Sequence, residues 1–135
     1  MSEKRLKLQI STPDKDFYDG DADMVIVNSV TGEMGILPKH LPLVTILDIG
    51  IIRIKNGNDE KRVSIDSGFM EIKNSEISIL TDSAEWPEDI DLGRAEKARQ
   101  RAEERINAKK DTHTDFLRAE MSLKRAINRI RNAKG

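Results

Sequence analysis

The sequence predicts a β + α fold, in which an N-terminal antiparallel β-sandwich is followed by a C-terminal antiparallel two-helix hairpin. Before residue 85, short alternating apolar runs are interrupted by Gly, Pro and Asn, as is typical of strands. After residue 93, Gly is absent until residue 135, and apolar residues recur about every 3.6 positions, as is typical of helices. We therefore predict a sandwich at 1–84, a linker at 85–90 and a helical arm at 91–135.

Composition excludes several classes of function. The 135 residues carry 23 Lys and Arg against 24 Asp and Glu, so no net basic charge favours binding to nucleic acid. There is no Cys, which excludes disulfides and thiolate chemistry. No apolar stretch resembles a secretory signal or approaches the roughly 20 residues of a membrane span, so we expect a soluble, intracellular protein.

Short apolar runs predict about eight strands before residue 82. Leu6 to Ile10 alternates with polar residues and indicates a half-buried first strand. Phe17-Tyr18 indicates a short strand that enters a turn at Asp19-Gly20, and Met24 to Val27 indicates a strand buried on both faces. The later strands are predicted at 43–47, 51–55, 61–65, 69–72 and 77–80.

Turn-forming residues arrange these strands. Asn56 to Asp59 and Asn74-Ser75 each predict a β-hairpin, because they tolerate positive φ angles. Thr31 to Pro42 contains two Gly and two Pro among apolar residues, and predicts a shaped loop instead of a strand or helix. Its Met34, Ile36 and Leu37 look exposed beside Glu33 and His40, which suits an interface, although a plain corner of the sandwich is the simpler explanation.

Two amphipathic helices are predicted after Pro87, with Asp89 or Asp91 as the first N-cap. The second helix is predicted after Lys110, where Thr112 to Asp115 resembles a capping box. The apolar stripes are Leu92, Ala95, Ala98, Ala102 and Ile106 on the first helix, and Phe116, Ala119, Leu123, Ala126, Ile130 and Ala133 on the second. Each alanine buries little more than one methyl group, worth about 0.8 kcal/mol, so we expect a movable arm that depends on ligands or partners.

Four arginines of the arm predict an anion site. Arg94 and Arg101 are seven residues apart, and Arg125 and Arg129 are four apart, so each pair shares one helix face. An antiparallel hairpin brings the two pairs together near a helix N-terminus, where fixed guanidinium groups favour phosphate. The alternative is a solvated face, in which these arginines pair with Glu96, Glu103, Glu104 and Glu120.

Signatures of catalysis and of metal binding are missing from the sequence. The histidines, His40 and His113, lie in unrelated segments, and neither a phosphate-binding loop motif nor H-E-x-x-H occurs. Pairs of carboxylates on the helices are typical of solvated i,i+4 partners. We therefore expect no catalytic residues, no metal ligands and no enzyme activity in this chain.

The order of several motifs resembles one family across nearly the whole chain. Gly32 to Leu43, Ser67 to Ile72, Asp89 to Asp91 with Arg94-Ala95, and Leu123 to Ile130 are similar to segments of the epsilon subunit of F-type ATP synthases. The likeness is greatest to bacterial, Bacillus-like members. One departure is Ser67-Gly68-Phe69, where the family usually has Gly-Gly-Phe, and another is the stiff Trp86-Pro87 in the linker.

The resemblance implies a peripheral rotor subunit at the cytoplasmic face of the bacterial plasma membrane. Its sandwich would bind the gamma subunit and sit on the ring of c subunits, as part of the machine that couples proton flow to ATP synthesis. The interface with the ring would include Glu33, Met34, Gly35, Ile36 and His40. The arm would be either folded on the sandwich or extended into the catalytic head of alpha and beta subunits, where it would inhibit ATP hydrolysis.

The resemblance also implies ATP as a regulatory ligand of the folded arm, with the need for magnesium left open. The family's ATP contacts correspond here to Glu85, Ile90, Asp91, Arg94, Ala95, Arg101, Arg125 and Arg129. Two alternatives remain. One is a purely structural coupling subunit that never senses nucleotide, and the other is a nucleic-acid module on a β-barrel, against which the neutral charge and scarce aromatic residues argue.

Overall fold

The computed structural model describes residues 5–108 and 113–134, with the backbone alone at 113 and 114. The chain divides into two compact units, Met1–Glu85 and Trp86–Gly135. The first consists of strands and the second of helices, so the predicted β + α fold is confirmed.

The first unit contains ten strands in its described residues, about two more than the sequence predicts. They are β1 (Leu6–Ser11), β2 (Asp16–Ala22), β3 (Met24–Ser29), β4 (Gly32–Ile36), β5 (Leu43–Leu47), β6 (Gly50–Asn56), β7 (Asp59–Ile65), β8 (Gly68–Lys73), β9 (Glu76–Thr81) and β10 (Ala84–Glu85). The predicted hairpins are both present, as β6–β7 and β8–β9.

The strands form two halves that meet at β3. One half has the order β10-β7-β6-β3, with β4 also paired to β3, and the other has the order β5-β8-β9-β1-β2. Ser29 of β3 pairs with Leu47 of β5 and joins the halves. Among the described strands, β1 and β9 are parallel and the other pairs are antiparallel, which departs from a wholly antiparallel sandwich.

An aliphatic core lies between the two halves. Along β1, β8 and β9, buried residues alternate with exposed ones, as expected for strands with one face on a core. Burying each Leu, Ile or Met side chain contributes about 1.5–3 kcal/mol before entropy is counted. The largest fully buried side chains are Leu6, Leu8, Ile10, Val25, Ile36, Leu47, Ile52, Ile54, Met70, Ile72, Ile77 and Ile79.

Two predictions about the early strands are wrong. Asp19-Gly20 lies inside β2 instead of forming a turn. β2 ends the sheet order, and an edge strand tolerates charged residues and glycine because one of its sides needs no ladder partner. β3 alternates between buried Val25 and Val27 and half-buried Met24 and Ile26, so it is not buried on both faces.

The segment from Thr31 to Pro42 is only partly a loop. Gly32–Ile36 forms β4, antiparallel to β3, and the loop is confined to residues 37–42. Pairing with β3 overrides the low strand propensity of glycine. At Gly35 an added Cβ would come within 2.7 Å of the Met24 Cε, so the flexible Met24 side chain would have to move aside.

The described residues of the second unit form a 3-10 turn, Pro87–Asp89, and the helices α1 (Leu92–Asn107) and α2 (His113–Lys134), which pack against each other. Of the six alanines in the predicted stripes, Ala95, Ala102, Ala119 and Ala126 are buried, whereas Ala98 and Ala133 are half-buried. Leu92 and Phe116 are exposed, contrary to the predicted stripes. Each lies three residues before a buried alanine, which places it about 60° around its helix from that alanine. The contact between the two helices is formed by small alanines and is too narrow to cover a side chain at that angle.

Part of the predicted capping box lies outside the described residues, and the described residues show neither a membrane-spanning helix nor a cluster of metal ligands. Thr112 of the predicted capping box is not described, nor are the side chains of His113 and Thr114. None of the helices described here has the length and apolar character needed to cross a membrane. Residues 5–108 and 113–134 hold no group of three or more His, Cys, Asp or Glu side chains placed to bind a metal ion.

Candidate functional site

The start of α1 is organised by Asp91. Its backbone is extended, with φ −78° and ψ 99°, and its Oδ1 accepts a hydrogen bond from the Arg94 N–H at 3.1 Å. Of the two predicted N-caps, Asp91 is therefore the one used. Pro87 keeps Trp86 extended, and the preceding 3-10 turn closes with Ile90 N–H donating to the Pro87 carbonyl at 3.3 Å.

Replacing the cap tests this geometry. We expect Asp91→Ala to destabilise α1 by about 1 kcal/mol, because an orphan N–H loses its acceptor, and Asp91→Asn to cost much less. Hydrogen exchange of the Arg94 amide, measured by NMR, should accelerate several-fold in the alanine variant. Asp89→Ala removes the same charge without removing the cap and serves as the control. Equal acceleration in the two alanine variants would contradict the capping role.

Four predicted ATP-site residues lie next to this cap or on α1: Ile90 directly precedes the cap, and Arg94, Ala95 and Arg101 belong to α1. Ile90 and Ala95 are buried, whereas Arg94 and Arg101 are exposed. Each of these two arginines immediately precedes a buried alanine, Ala95 or Ala102. Arg94 and Arg101 therefore lie on the same flank of the buried face of α1.

On α2, Arg125 is exposed and immediately precedes buried Ala126, and Arg129 is half-buried one helical turn later. These two residues share a flank of α2, as their spacing predicts. Glu85 is the remaining predicted contact. It ends β10, opposite Ser64 of β7, and belongs to the first unit, whereas the other predicted contacts belong to the second.

A cleft of about 330 Å³ shows how α1 and α2 align. It is lined by Glu96, Arg99, Ile127, Ile130, Arg131 and Lys134. Because residues near the start of α1 meet residues near the end of α2, the hairpin is antiparallel, as predicted. In α1 and α2 alike, the residue directly after a buried alanine, Glu96 or Ile127, lies in this cleft.

Arg99 is one of three basic residues in this cleft, with Arg131 and Lys134, and its spacing to the neighbouring carboxylates sets it apart. Its guanidinium donates to Glu96 at 3.1 Å and to Glu103 at 2.9 Å. Both carboxylates were candidates to neutralise the four predicted arginines, and both instead engage Arg99. The spacing of the three residues, i,i+3 and i,i+4, indicates these ion pairs from the sequence.

The predicted rotor interface lies on β4 and the loop after it. Glu33 and Gly35 are exposed, Met34 and His40 are half-buried, and Ile36 is completely buried. Ile36 therefore belongs to the core and cannot contact a partner directly, which corrects its expected exposure. It points inward because β4 alternates like any strand with one buried face.

An apolar row crosses the outer face of the first unit. Ile46, Phe69 and Leu80 are cross-strand neighbours on β5, β8 and β9, and each is 44–57% exposed. A groove of about 390 Å³ opens beside Phe69 and Leu80. The sequence patterns did not predict this row, although Leu80 is out of phase with the buried Ile77 and Ile79 on the same strand. Contiguous exposed apolar surface is typical of a protein interface.

Two buried asparagines on α2 were also missed. Asn128 and Asn132 are four residues apart and buried, and Asn132 is 0% exposed. Neither the amide nitrogen nor the oxygen of Asn132 has a hydrogen-bond partner among the described atoms. The apolar stripe is identified from hydrophobic residues alone, so the sequence does not indicate that these two polar residues are buried.

Comparisons with known proteins agree with this two-unit organisation. A family model for the ATP synthase delta/epsilon chain, beta-sandwich domain, matches residues 5–87. A second model, for the long alpha-helix domain of the same chains, matches residues 88–134. Together the two matches span almost the whole chain.

Relatives and solved structures point in the same direction. The ATP synthase epsilon chain of Alkalihalophilus pseudofirmus is 50% identical over 125 residues, 93% of this chain and 94% of that protein. The corresponding chain of Halalkalibacterium halodurans is 46% identical over the same length and coverage. A chain of the Euglena gracilis mitochondrial ATP synthase structure has the same fold, with TM-score 0.82 and 21% identity, covering 92% of this chain and 78% of that one. Sequence and fold together show that the chain belongs to the ATP synthase epsilon-chain family.

Proposed function

We propose that this chain is a non-catalytic central-stalk subunit of a proton-translocating ATP synthase, with a helical arm that senses ATP. In this role it joins the gamma subunit to the c-subunit ring at the cytoplasmic face of the bacterial plasma membrane. The arm binds ATP when folded and inhibits ATP hydrolysis when it extends into the alpha/beta head. Membership of the epsilon-chain family supports the stalk role, and the geometry of α1 and α2 supports ATP binding.

The first unit offers two surfaces for a stalk role. The row of Ile46, Phe69 and Leu80 is suited to the gamma subunit, because it is apolar and exposed. The segment from Glu33 to His40, with the exposed Leu37 that follows β4, is suited to the ring of c subunits. Two separate surfaces are what a subunit needs to hold two partners together.

The observation that carries ATP sensing is the common flank of four arginines. Glu96 and Ile127, each directly after a buried alanine, meet in one cleft on one side of the antiparallel hairpin. Residues directly before a buried alanine, Arg94 and Arg125, therefore lie on the other side. Arg101 and Arg129 share that side by helical spacing.

The residue types on this flank match the parts of ATP. Guanidinium groups bind phosphate oxygens through paired donors, and the N-terminus of α1 adds a favourable dipole. The carboxylate of Asp91 can accept hydrogen bonds from the ribose hydroxyls or the adenine amino group, both of which are donors. Ile90 and Ala95 supply apolar contacts beside these polar groups.

ATP regulates the arm by shifting a population. The bound phosphates neutralise the four arginines, whose mutual repulsion otherwise loosens the hairpin. At free ATP about tenfold above its dissociation constant, the folded arm gains about 1.4 kcal/mol, a roughly tenfold shift in population. When ATP falls, the arm is released and the basic side of α2 can engage acidic surface in the head.

Calorimetric titration of the full-length chain tests the proposal. We expect saturable binding of ATP and weaker binding of ADP, because ADP offers fewer phosphate oxygens to the arginines. Repeating both titrations with and without magnesium decides whether the metal is needed. If a folded sample shows no binding of either nucleotide, the arm does not sense ATP, and the alternative of a purely structural coupling subunit stands.

A further inference from the structure

The loop between β4 and β5 is held by a side chain from another hairpin. Lys39 has a φ of 66°, a left-handed conformation that is unfavourable for residues with a side chain. Its N–H donates a hydrogen bond to the Ser75 Oγ at 2.9 Å. His40 N–H donates to the Leu37 carbonyl at 3.2 Å and closes the turn around Lys39. The bond to Ser75 therefore stabilises a turn that its own sequence disfavours.

Ser75 is itself well anchored. It is buried, and with Asn74 it forms the two-residue connection of the β8–β9 hairpin, where both residues have positive φ, 54° and 64°. This is the geometry of a tight hairpin turn. The Ser75 carbonyl accepts a hydrogen bond from the Lys7 N–H at 2.9 Å, which ties the turn to β1. The hydroxyl that holds Lys39 is thus fixed to the core of the first unit.

The held loop presents two apolar side chains. Leu37 is 56% exposed and Leu41 is 79% exposed, and they flank Lys39 on either side. We propose that Ser75 is a positioning residue for the rotor-facing surface, fixing Lys39 so that Leu37 and Leu41 are presented to the c-subunit ring. The inference rests on the proposed function, in which the Glu33 to His40 segment faces that ring.

Ser75→Gly tests the proposal, because it removes the hydroxyl while keeping a residue that accepts the φ of 64°. Full-length variants are bound to the gamma subunit alone and to a rotor of gamma with the c ring. The ratio of the two dissociation constants measures the contribution of the ring. We expect Ser75→Gly to reduce that contribution about threefold to tenfold, the range for one lost hydrogen bond, and Ser75→Asn to restore part of it through its amide oxygen.

Two further variants separate this inference from the proposed function. Leu37→Ser with Leu41→Ser removes the presented side chains and should reduce the ring contribution more than tenfold. If this double variant loses the contribution while Ser75→Gly keeps it, Ser75 does not position the surface, although the surface itself stands. If the leucine variant also keeps it, the loop does not face the ring, and the proposed rotor interface is wrong as well.

A double-mutant cycle covers the case in which Ser75→Gly alters the hairpin more widely. Lys39→Gly removes the strain of the left-handed turn, since glycine adopts positive φ freely. If Ser75 acts through Lys39, then Ser75→Gly should weaken the ring contribution less in the Lys39→Gly background than in the natural one. Equal effects in both backgrounds would assign the loss to the β8–β9 turn itself and overturn the positioning role.

Discussion

Replacing Arg125 and Arg129 together by Ala weakens ATP binding by about a hundredfold or more, if the arm binds ATP as proposed. Each guanidinium would contribute charge-assisted hydrogen bonds worth about 1.5–3 kcal/mol, and the double variant removes both groups. The two residues share one flank of α2, so their loss leaves Arg94 and Arg101 of α1 to hold the phosphates alone. Calorimetric titration of ATP into the full-length variant measures the change.

The matched control lies on the same helix. Arg131 and Lys134 line the cleft on the opposite flank, so Arg131→Ala with Lys134→Ala removes the same charge. We expect this control to change the affinity by no more than about threefold, the effect of general electrostatics on exposed charges. Equal losses in the two double variants would mean that ATP responds to the charge of α2 and not to a defined site.

Neighbouring residues on β9 should separate stability from partner binding. Ile79 is fully buried, so Ile79→Ala should lower the free energy of unfolding of the first unit by about 2–5 kcal/mol, through lost burial and a residual cavity. Leu80 is 57% exposed, and Leu80→Ala should lower it by less than about 0.5 kcal/mol. Urea unfolding followed by the signals of the strand residues measures both values.

The same pair tests the outer row as a surface for the gamma subunit. Leu80→Ala should weaken binding to gamma several-fold, since it removes the end of the row of Ile46, Phe69 and Leu80. The variant keeps its stability, so a loss of binding would not be due to unfolding. Unchanged binding of both Leu80→Ala and Phe69→Ala would exclude the row as the gamma surface.

Strands and helices whose apolar residues recur at a regular spacing could be predicted from the sequence, because one face of each element is buried. Leu6 to Ile10, the β6–β7 and β8–β9 hairpins and the two helices are examples. Their positions follow from local alternation, from turn residues and from alanine spacing. The sequence predicts β4 as a loop because of its two glycines, Gly32 and Gly35. Gly32 has a positive φ of 129° where β4 begins, and the strand is set by pairing with β3, which local propensity does not contain.

Site residues were predictable to the extent that they follow helical spacing. The sequence limited the cap of α1 to Asp89 or Asp91, and it predicted the antiparallel pairing of α1 and α2. The burial of Ile36 could not, since it depends on β4 being a strand. The bond from Lys39 to Ser75 joins residues far apart in sequence, and no local pattern indicates such a contact.

The parallel pair of β1 and β9 has a consequence for how the chain is made. β1 leaves the ribosome well before its partner strand β9, which follows only after most of the first unit has been synthesised. Until then β1 can pair only with β2, leaving the apolar side chains of Leu6, Leu8 and Ile10 without their final cover. Until β9 is synthesised, the acidic residues of β2 disfavour pairing of this nascent hairpin with the strands of other chains. These residues are Asp16, Asp19 and Asp21.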